Sequence, residues 1–151
     1  MVEPRLRAED SGKKVGVALP RLLVVDDETN QARVMAIGLR IEGFDVEVVS
    51  DAKGAMRIMA DQQFDVAVVD LMLPETNGIQ LARILRDLHP TVRIVLTSAY
   101  HVSEHQLFRV DCGAVGFVAK PFDLTELARF LRSKLPPGGS GRPFASPGAA
   151  A

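Results

Sequence analysis

Four short stretches of the chain carry side chains able to do chemistry on a charged substrate. They are Asp26-Asp27-Glu28, Asp70, the adjacent hydroxyls Thr97-Ser98, and Lys120-Pro121. Each follows an apolar run, where a lone charge is ordinarily just the solvated start of a loop. Taken together, Asp26, Asp27, Asp70, one hydroxyl and Lys120 form a set: three carboxylates, an alcohol and an ammonium. Two carboxylates ~4 Å apart repel by about 4 kcal/mol at an effective dielectric of roughly 20. Three brought together must therefore share a proton or hold a cation. All-oxygen ligation suits a hard divalent ion, and Mg²⁺ in particular binds one or two carboxylates plus waters and phosphate oxygens. Such an ion and Lys120 would neutralise a transferring phosphoryl group, and a carboxylate can accept that group as a nucleophile. Phosphoryl transfer needs mainly positioning and charge stabilisation, which this set supplies.

The elements that must position these groups alternate in type. Short apolar runs rich in Val and Ile lie at Leu22–Val25, Val46–Val49, Val66–Val69, Ile94–Leu96 and Gly116–Val118. They read as strands buried on both faces. Between them, Ala52, Ala55, Met56, Met59 and Ala60 follow helical spacing. So do Leu81, Ala82, Leu85 and Leu88, and so do Leu124, Leu127, Ala128, Leu131 and Leu135. Residues 28–42 and about 103–111 supply the first and fourth helices, the latter with Ser103 and Gln106 as a capping box. His89, before Pro90, reads as a helix end. A strand–helix unit repeated five times implies an α/β fold, a parallel sheet covered on both faces with right-handed crossovers. Ligands in such folds bind at the carboxyl ends of the strands, and all four chemical stretches fall there.

Composition narrows the functional classes. The chain has 151 residues, 47% hydrophobic and 25% charged, with a formal net charge of −1. That balance gives no electrostatic reason to expect nucleic acid or an anionic membrane as a partner. The single cysteine, Cys112, excludes an intramolecular disulfide and suits a cytoplasmic setting, where it reads as a packing residue. No stretch approaches the ~18 apolar residues that span a bilayer. Residues 1–20 read as a flexible leader, 21–135 as the domain, and 136–151, almost wholly Pro, Gly, Ala and Ser, as a disordered tail. The tail is too short for an output module, so output is expected to run through protein contacts. His101 and His105 are four apart but straddle the expected cap Ser103 and lack a cysteine or acidic partner at ligand spacing, which argues against a zinc site.

The segments LLVVDDE (22–28), VAVVDLMLPETNG (66–78), VLTSAY (95–100) and GFVAKPF (116–122) together resemble the receiver domains of bacterial two-component response regulators, similar to the single-domain chemotaxis regulator. The resemblance spans nearly all of 21–135. It implies a doubly wound, flavodoxin-like sheet in the order 2-1-3-4-5. It also implies roles: Asp70 as phospho-acceptor, Asp27 as direct Mg²⁺ ligand, Asp26 partly through water, and Met72 through its backbone carbonyl. Lys120 is implied to pair with the acceptor and then the phosphate, from a cis bond to Pro121, while Pro74 and Gly78 shape the loop after Asp70. For the hydroxyl, Ser98 fits the frame Ser98-Ala99-Tyr100 and the distance forward to Lys120, with Thr97 as the alternative. Phe117 matches the aromatic that turns inward on activation, coupled to the hydroxyl. The implied donor is a sensor histidine kinase or a histidine phosphotransfer protein, and the implied output is a changed contact with a downstream protein, with dimerisation on phosphorylation. No enzymatic activity beyond self-phosphorylation and self-dephosphorylation is implied. Met72 stands where haloacid-dehalogenase-type hydrolases need a second acid, which argues against that class. The competing reading is a pseudo-receiver, a binding module that works without phosphorylation.

Overall fold

The computed structural model describes residues 18–99 and 113–135. The helix expected over about 103–111 lies outside the described residues, as do Tyr100, His101, His105, Cys112 and the segments 1–17 and 136–151. Five strands are present: β1 (Arg21–Val25), β2 (Asp45–Val49), β3 (Val66–Asp70), β4 (Arg93–Ser98) and β5 (Ala114–Ala119). The described helices are α1 (Thr29–Ile41), α2 (Ala52–Asp61), α3 (Gly78–Leu88) and α4 (Leu124–Ser133). Every expected strand is found, one or two residues longer than its apolar core.

All pairings are parallel and the sheet order is β2-β1-β3-β4-β5. β3 is central and buried along its whole length, which is why its sequence is unbroken Val and Ala up to Asp70. The pleat sends alternate residues to opposite faces. Leu23, Val25, Ala67, Val69, Ile94 and Leu96 pack with Ala55 and Met59 of α2 and with Leu81, Ala82 and Leu85 of α3. Leu22, Val24, Val66, Val68 and Val95 pack on the other side, against Ala32, Met35, Ala36 and Leu39 of α1 and Leu127, Ala128 and Leu131 of α4. The sheet is thus wound from both faces, as the alternation requires.

Three helices start on a side-chain cap: Asp51, Asn77 and Asp123 accept from the N–H of Gly54, Gln80 and Glu126 at 2.7, 2.8 and 3.0 Å. Each satisfies one of the orphan donors of a first turn, worth ~1 kcal/mol. α1 has no such cap. There Asp26 Oδ1 accepts the N–H of Glu28 at 2.9 Å and shapes the β1–α1 turn instead. His89 does end α3, its N–H donating to the Leu85 carbonyl. Two details depart from the periodicity. Ala60 and Leu88, on their expected apolar stripes, are exposed. α4 stops at Ser133 rather than running to Leu135, because Lys134 and Leu135 donate to Leu131 and Arg132 three residues back and tighten the last turn. Leu135 still packs on the α1–α4 core.

Candidate functional site

The carboxyl ends of β1, β3, β4 and β5 converge at one edge of the sheet. Asp26 and Asp70 are nearly buried, at 2% and 6% relative exposure, while Asp27 is exposed. One carboxylate oxygen from each of Asp26, Asp27 and Asp70 falls within a common span of 4.8 Å. Lys120 Nζ bridges two of them, at 2.9 Å from Asp26 Oδ2 and 2.8 Å from Asp70 Oδ2. The other oxygen of Asp70 accepts the N–H of Met72 at 2.8 Å. Asp70 therefore has a fixed orientation, one oxygen on a backbone donor and one on an ammonium.

Burial alone would lower the pKa of Lys120. The hydrogen bonds to Asp70 and Asp26, and the attraction of both carboxylates, outweigh it and hold the pKa above the usual lysine value. The ammonium stays charged at any working pH. One positive charge against three negative ones still leaves the cluster short of neutral. Its donors are all hard oxygens, so the residues present fit a divalent cation such as Mg²⁺, held by Asp26, Asp27 and Asp70.

Backbone bonds set this geometry. The N–H of Lys120 donates to the Ser98 carbonyl at 2.9 Å, and the N–H of Leu71 donates to the Thr97 carbonyl at 2.8 Å. The Lys120–Pro121 bond is cis. Gly78 is buried against the acceptor loop: a Cβ there would lie 2.4 Å from the Asp70 carbonyl oxygen and 2.8 Å from Leu71 Cα. Its N–H donates to the Leu71 carbonyl at 2.8 Å. No side chain larger than hydrogen fits this approach.

Thr97 and Ser98 are both buried. Register sets Thr97 beside Asp70, and Ser98 beside Ala119, one residue before Lys120. The neighbour of the acceptor and the residue at the expected distance from the lysine are thus different hydroxyls. Phe117 is half-buried on β5 and packs against the α2–α3 core.

Sequence reasoning missed two features. Asp26 pairs with Lys120 across 94 residues, a contact no local pattern carries. A cleft of about 960 Å³ opens over the acceptor. Asp70 and Lys120 line it together with Val34 and Met35 of α1, and Phe122 and Leu124 beyond β5. Helical spacing marked Leu124 only as core.

Residues 22–132 match the family model described as the response regulator receiver domain. The chain belongs to that family. This receiver domain of a two-component system is 34% identical over 118 residues to the regulatory protein AtoC of Escherichia coli (strain K12), covering 78% of this chain and 26% of AtoC. It is 37% identical over 115 residues to the DNA-binding response regulator MtrA of Mycolicibacterium smegmatis, covering 76% of this chain and 50% of MtrA. The receiver thus spans a quarter to about half of the length of these curated relatives. Among solved structures, a CheY-like receiver domain protein from Methanospirillum hungatei JF-1 superposes with a TM-score of 0.72 at 26% identity, over 78% of this chain and 94% of that one. The response regulator TrrA of Thermotoga maritima, solved in complex with Mg(2+)-BeF, superposes with a TM-score of 0.70 at 26% identity, over 78% of this chain and all (100%) of that one. The fold expected from the strand–helix alternation, including its strand order, is the fold found. None of the described helices is long and apolar enough to cross a membrane.

Proposed function

We propose that this receiver accepts a phosphoryl group on Asp70 from the phosphohistidine of a sensor histidine kinase or a histidine phosphotransfer protein, with Mg²⁺ as cofactor, and thereby switches its protein–protein contacts. The observation that carries this reading is the fixed Asp70 carboxylate, bonded to Lys120 Nζ at 2.8 Å inside a cluster of three carboxylates at the floor of an open cleft. In the transfer, an Asp70 oxygen attacks phosphorus, the bond to the histidine nitrogen breaks, and the nitrogen keeps the electron pair. Lys120, already held between Asp26 and Asp70, meets the incoming phosphoryl oxygens as a charged donor. The N–H of Met72 keeps the second Asp70 oxygen aligned. A Mg²⁺ ion held by Asp26, Asp27, Asp70 and the Met72 carbonyl would offset the negative charge gathered there.

A hydroxyl at the end of β4, Ser98 with Thr97 as the alternative, then binds the phosphoryl group, and Phe117 on β5 follows it inward. The result is a population shift on the face that β5 and α4 present to a downstream protein or a second receiver. The chemistry is confined to the domain's own phosphorylation and dephosphorylation, in a cytoplasmic setting. Contacts of the receiver itself are with protein; a net charge of −1 supplies no attraction to nucleic acid. Incubation with Mg²⁺ and acetyl phosphate, read by intact mass, tests the reading. Wild type should gain one phosphoryl group and Asp70→Asn none. No gain in either protein, or an equal gain in both, would leave the phosphorylation-independent pseudo-receiver.

A further inference from the structure

Glycine is the poorest helix former after proline, yet Gly38 sits in the interior of α1. Its surroundings supply a reason. A Cβ at Gly38 would stand 2.4 Å from Leu124 Cδ1, 3.3 Å from Cγ and 3.6 Å from Cβ. The whole Leu124 side chain is directed at the bare backbone of α1, so turning its terminal methyl away would not clear the overlap. Leu124 is the first residue of α4, directly after the cap Asp123. Only Pro121, Phe122 and Asp123 separate it from Lys120, and Leu124 and Lys120 line the same cleft. A second tie at this junction, Thr125 Oγ1 to Glu42 Oε2 at 3.4 Å, holds α4 to the end of α1.

We propose that Gly38 is a positioning residue for Lys120: its bare backbone seats Leu124, and that seat sets how far the segment Lys120–Asp123 reaches toward Asp26 and Asp70. The catalytic part of this inference rests on the phospho-acceptor reading above; the structural part does not. Carbon atoms pack at ~3.5–4.0 Å, so a methyl group on Gly38 forces Leu124 back by about 1 Å. The backbone of Lys120 is held on its other side by the Ser98 carbonyl. The displacement is therefore taken up along the segment that leads into the lysine side chain, whose bonds of 2.8 and 2.9 Å leave little slack. A misplacement of ~1 Å can cost up to 10²-fold in rate.

The test is Gly38→Ala, read by the initial rate of phosphorylation from acetyl phosphate with Mg²⁺, by thermal unfolding, and by a crystal structure. The variant should phosphorylate about tenfold more slowly without a matching loss of stability, since alanine favours the helix. Gly38→Ala/Leu124→Val, which trims the side chain facing the new methyl, should return the rate toward wild type. In a Lys120→Ala background, Gly38→Ala should slow the reaction no further. An unchanged rate, or a slowing of the same size in both backgrounds, overturns the proposal. If wild type itself takes no phosphoryl group, the phospho-acceptor reading has failed, and the crystal structure still decides the contact. Lys120 Nζ left within hydrogen-bond distance of both carboxylates in Gly38→Ala would overturn it.

Discussion

Replacing Gly78 with alanine sets two effects of opposite sign against each other at the start of α3. Alanine is the better helix former by about 1 kcal/mol, so propensity alone predicts a more stable protein. The structure predicts the reverse. The new Cβ would lie 2.4 Å from the Asp70 carbonyl oxygen, 2.8 Å from Leu71 Cα and 3.0 Å from the Asp70 carbonyl carbon. All three are main-chain atoms of the acceptor loop, so no rotamer change relieves the contact. Overpacking of this kind costs roughly 1–3 kcal/mol, and loosening the Gly78 N–H bond to Leu71 adds about 0.5–1.5 kcal/mol. After the propensity gain, a net loss of about 1–3 kcal/mol remains. At about 4 °C per kcal/mol for a domain of this size, Tm should fall by roughly 4–12 °C. The moved atoms belong to Asp70 and Leu71, so acetyl phosphate labelling should slow in the same variant even at temperatures where it is fully folded. Urea titration at fixed m value, thermal unfolding and intact mass measure the three quantities. A Tm equal to or above that of wild type, with an unchanged labelling rate, would refute the steric reasoning.

Asp27→Asn removes one of three clustered negative charges. The metal-free protein should become more stable, and the rise in Tm on adding Mg²⁺ should shrink; unfolding in chelator and in Mg²⁺ measures both. Met72 is 56% exposed beside the acceptor, where an apolar side chain hinders an attacking water, so the wild-type phosphoryl group should persist for longer than in Met72→Asn. Loss of the wild-type label within seconds in Mg²⁺ would contradict this. Ser98→Ala should uncouple phosphorylation from partner binding or dimerisation while Thr97→Ala leaves the coupling intact; light scattering of the labelled variants shows which hydroxyl carries the switch, and the opposite pattern would assign it to Thr97.

The strands were the most legible part of this chain. A parallel strand covered on both faces must be apolar along its length, and VAVVD of β3 or RLLVV of β1 can hardly be anything else. The chemical edge was legible for the same reason, because the fold rule turns five scattered polar positions into one place. Helix ends were less so. α4 loses its last turn to three-residue-back bonds at Lys134 and Leu135, a choice that side-chain periodicity does not register. Contacts across long separations were not legible at all. Nothing near Asp26 announces that Lys120 will bond to it, and Gly38 looks like a blemish in a helix until Leu124 is set against it. The choice between Thr97 and Ser98 stays divided because strand register and the spacing to Lys120 favour different residues.

The acceptor and the aromatic reporter stand on strands of unequal protection. β3 lies between β1 and β4 and is buried at every position, whereas β5 closes the described sheet and is only half-buried over most of its length. Opening free energies within one domain range from near zero at frayed edges to the full unfolding value in the core. Amides around Asp70 therefore exchange with solvent only when the whole domain unfolds, while those around Phe117 exchange through cheaper local excursions. The phosphoryl group is received on the stiffest rail of the molecule, and its arrival is registered on the softest, where a small bias is enough to redistribute conformers.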